Sequence, residues 1–240
     1  NGWPENEAIF DGAKAVVVYS DGNAGHPVNG HEAKMSELAA AGVGIMFMHY
    51  AVEVPPGERG ELFKKWVGGH YESGFSVNPH WTASDAPKAG HPIGNGVPNL
   101  RANDEWYFNM RFAKDMQGVT PILSSVAPDE TMSRPDGEHS GNPEVRKMVA
   151  EKQPQHVCWV IERADGGRGF GFTGLHFHDN WANDDFRKTV LNAICWIAKV
   201  EIPAEGIVTP TPTQEELDAN LDPKPAKPKP KPAPAQKKAA

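Results

Sequence analysis

Three short stretches of the chain carry residue types able to move protons or hold a cation. His49 and Tyr50 stand at the end of the apolar run Gly44-Ile45-Met46-Phe47-Met48. His176-Phe177-His178 follows Phe170-Gly171-Phe172-Thr173-Gly174. If that segment continues as a strand, alternation puts both imidazoles on one face and Phe177 on the other. Such a pair can share a metal ion, or one ring can act as a base while the other binds substrate. The plainer alternative is a polar cluster that caps the next helix through Asp179 and Asn180. In Asp104-Glu105-Trp106-Tyr107, two carboxylates adjoin two aromatics. Carboxylates supply acid, base or metal ligand, and aromatic faces suit the apolar C–H faces of sugar rings. A solvated acidic strand end reads the same stretch equally well. His26 and the His80-Trp81 pair are weaker additions, open to readings as turn and packing residues.

The elements that must position these residues follow from apolar patterning. Ala15–Tyr19 is a β-branched run ending in the turn-rich loop Ser20–His26. Met35, Leu38 and Ala39 share a helical face, and Gly42 is placed to stop that helix. Gly44–Met48 is apolar throughout, as expected of a central strand covered on both faces. A Pro55-Pro56-Gly57 break leads to a short helix over Glu61–Val67, stopped by Gly68-Gly69. This rhythm predicts right-handed βαβ units and a parallel sheet, whose ligands bind beyond the carboxyl ends of the strands. Ser76–Thr82, Asp104–Phe108 and Pro121–Val126 are further strand candidates, and residues 128–154 read as one long polar loop. Asp165-Gly166-Gly167 signals a hairpin between strands near 156–162 and 169–174. Phe186, Val190, Ala193, Ile194 and Ile197 repeat at helical spacing, with Asp184 and Asp185 in the first turn.

Composition narrows the classes. From Pro203 onward proline and lysine dominate, so the expected organisation is a folded domain over 1–202 and a disordered Pro/Lys/Ala-rich tail over 203–240. The formal net charge is −7 although the end of the tail is basic, which argues against nucleic-acid binding by the domain. Cys158 and Cys195 lie inside apolar runs and read as buried thiols, with a disulfide left open. No stretch reaches the length of a membrane span. No GxGxxG, P-loop or Gly-x-Ser-x-Gly pattern occurs, and neither cysteine sits at a strand-to-helix turn, so phosphate cradling and serine or cysteine nucleophiles find no support. The chain opens with Asn1-Gly2-Trp3-Pro4 and shows no signal peptide, which leaves localisation open.

Taken together, Met48-His49-Tyr50-Ala51-Val52, Asn103-Asp104-Glu105-Trp106-Tyr107 and Gly171–His178 resemble the trehalose-utilisation, or ThuA-like, family. The resemblance spans nearly all of residues 10–200. It implies a flavodoxin-like α/β fold related to class I glutamine amidotransferases, a mostly parallel sheet with helices on both faces. It also implies that this chain lacks the family's first strand and helix. The amidotransferase cysteine falls on His49, and the amidotransferase His-x-Glu falls on His178-Asp179-Asn180, so amidotransferase activity is not expected. The long inserts and Pro/Lys tail look like versions found in exported bacterial proteins. The expectation is therefore a carbohydrate-metabolism protein acting on a trehalose-like or keto-sugar, with His49, His178 and Glu105 catalytic. Tyr50, Asp104, Trp106, Tyr107, His26 and Trp181 would bind substrate, and His176 with His178 would hold a divalent metal ion. A non-catalytic sugar-binding or interaction module, and a homo-oligomer, complete the expectations.

Overall fold

The computed structural model describes residues 2–219 and 221. In chain order the elements are β1 (Ala15–Tyr19), α1 (Glu32–Ala40), β2 (Gly44–Met48), α2 (Glu58–Val67), β3 (Gly69–His70), β4 (Trp81–Asp85), β5 (Leu100–Asp104) and β6 (Arg111–Phe112). Then come β7 (Val119–Val126), α3 (Pro143–Ala150), β8 (Pro154–Glu162), β9 (Arg168–Phe172), α4 (Asp184–Ile197) and α5 (Gln214–Asp218). The main sheet runs β1-β2-β9-β8-β7. The β1/β2 and β2/β9 pairs are parallel, whereas β8 is antiparallel to both neighbours, so four of the five strands share one direction. Helices cover both faces, as expected.

Alternation along β2 explains the layering. Met46 and Met48 face the side where α3, α4 and the β4–β5 hairpin pack, with Phe170, Phe172, Phe186 and Val190. Ile45 and Phe47 face α1 and α2, with Met35, Leu38, Phe63, Trp66 and Trp159. All five β2 residues are buried, the state of a strand covered on both sides. At roughly 25 cal/mol per Å² of apolar area, these two layers are the main favourable term in folding. The buried Arg163 ties their rim together by donating to the carbonyls of Ala39, Val43 and Trp66.

Several expectations need correction. The strand expected over Ser76–Thr82 begins instead at Trp81, and the one expected over Asp104–Phe108 ends at Asp104. Strand β9 stops at Phe172, so His176-Phe177-His178 does not continue it. The long polar loop contains α3, whose Asn142 side chain caps the Val145 amide and which begins with a proline at its first position. The domain boundary at 202 also moves. Ile207 donates its amide to Asn192 Oδ1, Leu217 is buried, and Thr213 and Glu216 form a capping box on α5. Residues 203–218 thus belong to the folded body, and the disordered-tail expectation otherwise falls on residues outside those described. β1 and β2 pair directly, so the sheet has no gap between them. No helix among the described residues is long and apolar enough to cross a membrane.

Candidate functional site

The parallel register that aligns Met48 with Phe172 brings the segments after β2 and β9 side by side. His49 turns out of β2 with φ +51, a left-handed value costly for a side chain with a Cβ. That turn aims its ring across to β9's end, where Nδ1 donates to the Thr173 carbonyl at 3.0 Å. A carbonyl can only accept, so in the neutral ring Nε2 carries the lone pair. Burial holds the His49 pKa below its ordinary value.

Asp104, at the end of β5, builds the other wall. Its fully buried carboxylate accepts the backbone amides of Leu175 at 2.8 Å, His176 at 2.9 Å and Glu105 at 2.7 Å, plus the Asn180 amide at 2.8 Å. This clamp draws the chain after β9 into a turn, with Leu175 at φ +90, and explains why the strand ends early. It also delivers Glu105 and His176 to His49. Glu105 Oε2 lies 3.1 Å from His176 Nδ1 and 3.5 Å from His49 Nε2, and the two ring nitrogens are 3.3 Å apart. The Tyr107 hydroxyl donates to His49 Nε2 at 3.2 Å, and burial, then the Glu105 charge, raise that phenol well above its usual range. His80 Nε2 stands 3.7 Å from Glu105 Oε1. His176 and His80 are exposed, so the cluster opens to solvent on their side, while His49 and Tyr107 form its buried floor.

Of the residues expected at a site, the structure therefore gathers His49, Glu105, His176 and Tyr107. Asp104 orders this group from behind and meets no solvent. His178 is elsewhere: its Nε2 donates to the Leu217 carbonyl at 2.9 Å, and it shares no contact with His49. Trp106 is wholly buried against Phe172 and Phe186, with its Nε1 on the Ala102 carbonyl, so its ring offers no face to a ligand. Trp181 packs on the same core, and its carbonyl accepts from Arg187. Tyr50 is partly exposed and, with His49, lines one end of a trough of about 1080 Å³ along β1. Both cysteines are free: Cys158 is buried in β8, where desolvation raises its thiol, and Cys195 lies on α4. Neither offers a thiol to the tip of β2.

Residues that sequence spacing did not single out stand behind Tyr107. The Tyr71 ring is 5.0 Å from that of Tyr107, and its hydroxyl meets His139 Nδ1 at 2.8 Å. Glu53, buried at the end of the turn that His49 begins, has its pKa raised by desolvation. His139 sits in a polar segment without periodicity, which gave no signal, whereas Glu53 follows the β2 run closely enough to have been noticed.

His26 is a core residue. It is 2% exposed, donates Nε2 to Ala51, accepts the Val28 amide at Nδ1, and packs edge-on to Phe47 and Phe63. Burial lowers its pKa to about 4. The unfolded chain, with an imidazole near about 6.5, binds the proton that the folded chain refuses. Stability is thus complete above pH ~6.5 and falls as pH drops toward 4, by roughly 3 kcal/mol for this residue. Urea midpoints measured across that range should fall, with His91, also lowered to about 4, adding in the same direction. A flat profile contradicts the assignment.

A predominantly parallel sheet with helices on both faces, and a polar cluster beyond the carboxyl ends of its strands, makes this a flavodoxin-like α/β protein. The family model described as "Trehalose utilisation" (ThuA) matches residues 6–197. The chain belongs to that family. It is similar in fold to the crystal structure of a ThuA-like protein from Bacteroides uniformis, with a TM-score of 0.54 and 14% identity, over 77% of this chain and 69% of that one. No curated protein matches the chain.

Proposed function

We propose that this protein acts on a sugar, of trehalose-like or keto-sugar type, by proton transfer at the His49–Glu105–His176–Tyr107 cluster. The observation that carries the reading is the convergence of three proton-exchanging side chains from the ends of β2, β5 and β9, on a phenol that burial keeps protonated. The family description, trehalose utilisation, supports looking for a sugar there. In this reading Glu105 accepts a proton from a sugar hydroxyl or from carbon beside a carbonyl, Tyr107 donates a hydrogen bond to the oxygen that gains charge, His176 holds the carboxylate through Nδ1, and His49 orients the sugar. The strained His49 backbone fixes the imidazole without relying on loop order.

The test is a calorimetric titration of trehalose and its keto derivative into the full chain, beside Glu105→Gln and His178→Ala. Glu105→Gln should lose conversion of the sugar by about 100-fold or more, the usual range for a missing acid–base group. His178→Ala, outside the cluster, should behave as wild type. Sugar bound equally by all three proteins, with no conversion by any, would instead support a binding module.

A further inference from the structure

One ligand atom each of His49, Glu105 and His176 lies close enough to the other two to share a single cation. His49 Nε2, His176 Nδ1 and Glu105 Oε2 form a triangle with edges of 3.1, 3.3 and 3.5 Å. A tetrahedral ion with bonds of about 2.0–2.1 Å sets its ligand atoms roughly 3.3 Å apart, the mean of those edges. His49 Nε2 is the ring nitrogen without hydrogen because Nδ1–H is engaged by the Thr173 carbonyl, and its lone pair, which here accepts the Tyr107 hydroxyl at 3.2 Å, would pass to the ion. A ring N–H given to a backbone carbonyl is the usual outer support of a metal-bound histidine. The amide clamp by Asp104 does the same for His176 and Glu105, holding their backbones without spending either side chain.

We propose that His49, Glu105 and His176 bind a divalent transition-metal ion of the Zn²⁺ type, with its fourth position open toward solvent. Two imidazoles and one carboxylate suit borderline ions such as Zn²⁺ over Mg²⁺ or Ca²⁺, which favour all-oxygen sites. Three protein ligands with a free position are the pattern of catalytic rather than structural zinc. The open side is the one bordered by the exposed His176 and His80 rings, and Tyr107 lies beside His49 Nε2 where it can hydrogen-bond a group in that position. The inference rests on reading this cluster as the functional site and deepens it: Glu105 would hold the ion through Oε2 and keep Oε1, outside the triangle, to accept the proton, while the ion would polarise the sugar oxygen.

The experiment uses the full chain, freed of metal by a chelator and titrated with Co²⁺ and Zn²⁺. Wild type should take up one equivalent, with the intense visible absorption of tetrahedral Co²⁺. Glu105→Gln and His176→Ala should each lose affinity by more than the 10- to 100-fold typical of outer-shell changes. His178→Ala should match wild type. The exposed His176 ring makes its replacement a variant whose melting curve should stay unchanged, so lost metal is not mistaken for lost fold. No uptake by wild type, or equal uptake by all variants, overturns the proposal. Sugar binding by metal-free protein, measured in parallel, separates the two readings: sugar bound and converted without metal overturns the ion alone, and one equivalent of metal with no sugar bound overturns the sugar alone.

Discussion

Asp104→Asn is expected to lower stability by about 3 kcal/mol or more, although the change removes a single negative charge and no volume. Both carboxylate oxygens are in use. Oδ1 accepts the amides of Glu105 and His176, and Oδ2 accepts Leu175 and the Asn180 side chain. An amide has one oxygen, so its NH₂ must confront one of these donor pairs in a site without solvent. Hydrogen bonds to charged groups contribute about 1.5–3 kcal/mol each, and an abandoned buried donor costs about as much again. Urea unfolding should show a lower midpoint at an unchanged slope. A substrate-binding Asp104, as its place in the sequence suggested, would instead leave the midpoint alone and weaken only sugar binding.

Gly169→Ala is expected to be as severe, for a steric reason. A Cβ at this position would lie 2.2 Å from the Trp66 carbonyl oxygen and 2.7 Å from Val67 Cα. Both are backbone atoms of α2, so no side-chain rotation relieves the overlap. The helix would have to lift from β9 beside Phe63, Trp66 and Val67, all buried. Overpacking of this kind costs typically 1–3 kcal/mol, and displaced backbone places this site at or beyond the upper end. Because β9 also carries the segment that holds His176, a folded Gly169→Ala protein should bind ligand more weakly at the cluster. A thermal midpoint equal to wild type contradicts this packing.

Much of the frame was legible in residues whose meaning is local. The apolar run of β2, its abrupt end at His49, the helical spacing of Phe186, Val190, Ala193 and Ile197, and the Asp165-Gly166-Gly167 turn each encode one element, and each element is present. What sequence could not supply were choices made by contacts distant along the chain. The alternation argument for His176 and His178 assumed a strand that the Asp104 clamp, about 70 positions earlier, bends into a turn. Trp106 looked like a sugar platform because an aromatic beside carboxylates carries no mark of which way it faces; Gly174 leaves the space its ring fills, and it went inward. The segment after Pro203 read as tail because proline and polar residues dominate it. Yet Asn192, Arg187 and His178 on the domain partner its backbone and side chains. His49 is legible because it stands at a strand's end, where the fold exposes side chains to ligands, and Glu105 because a carboxylate beside aromatics suits a polar ligand.

The central claim is that His49, Glu105 and His176 work as one centre on a sugar. Its most direct test is the titration of sugar into the full chain, followed by NMR at the imidazole resonances of all ten histidines. The prediction is that His49 and His176 shift together, saturating with the sugar, while His26 and His178 stay in place. In Glu105→Gln that joint response should be lost. Saturable sugar binding that moves His178 and leaves His49 and His176 unmoved would contradict the account.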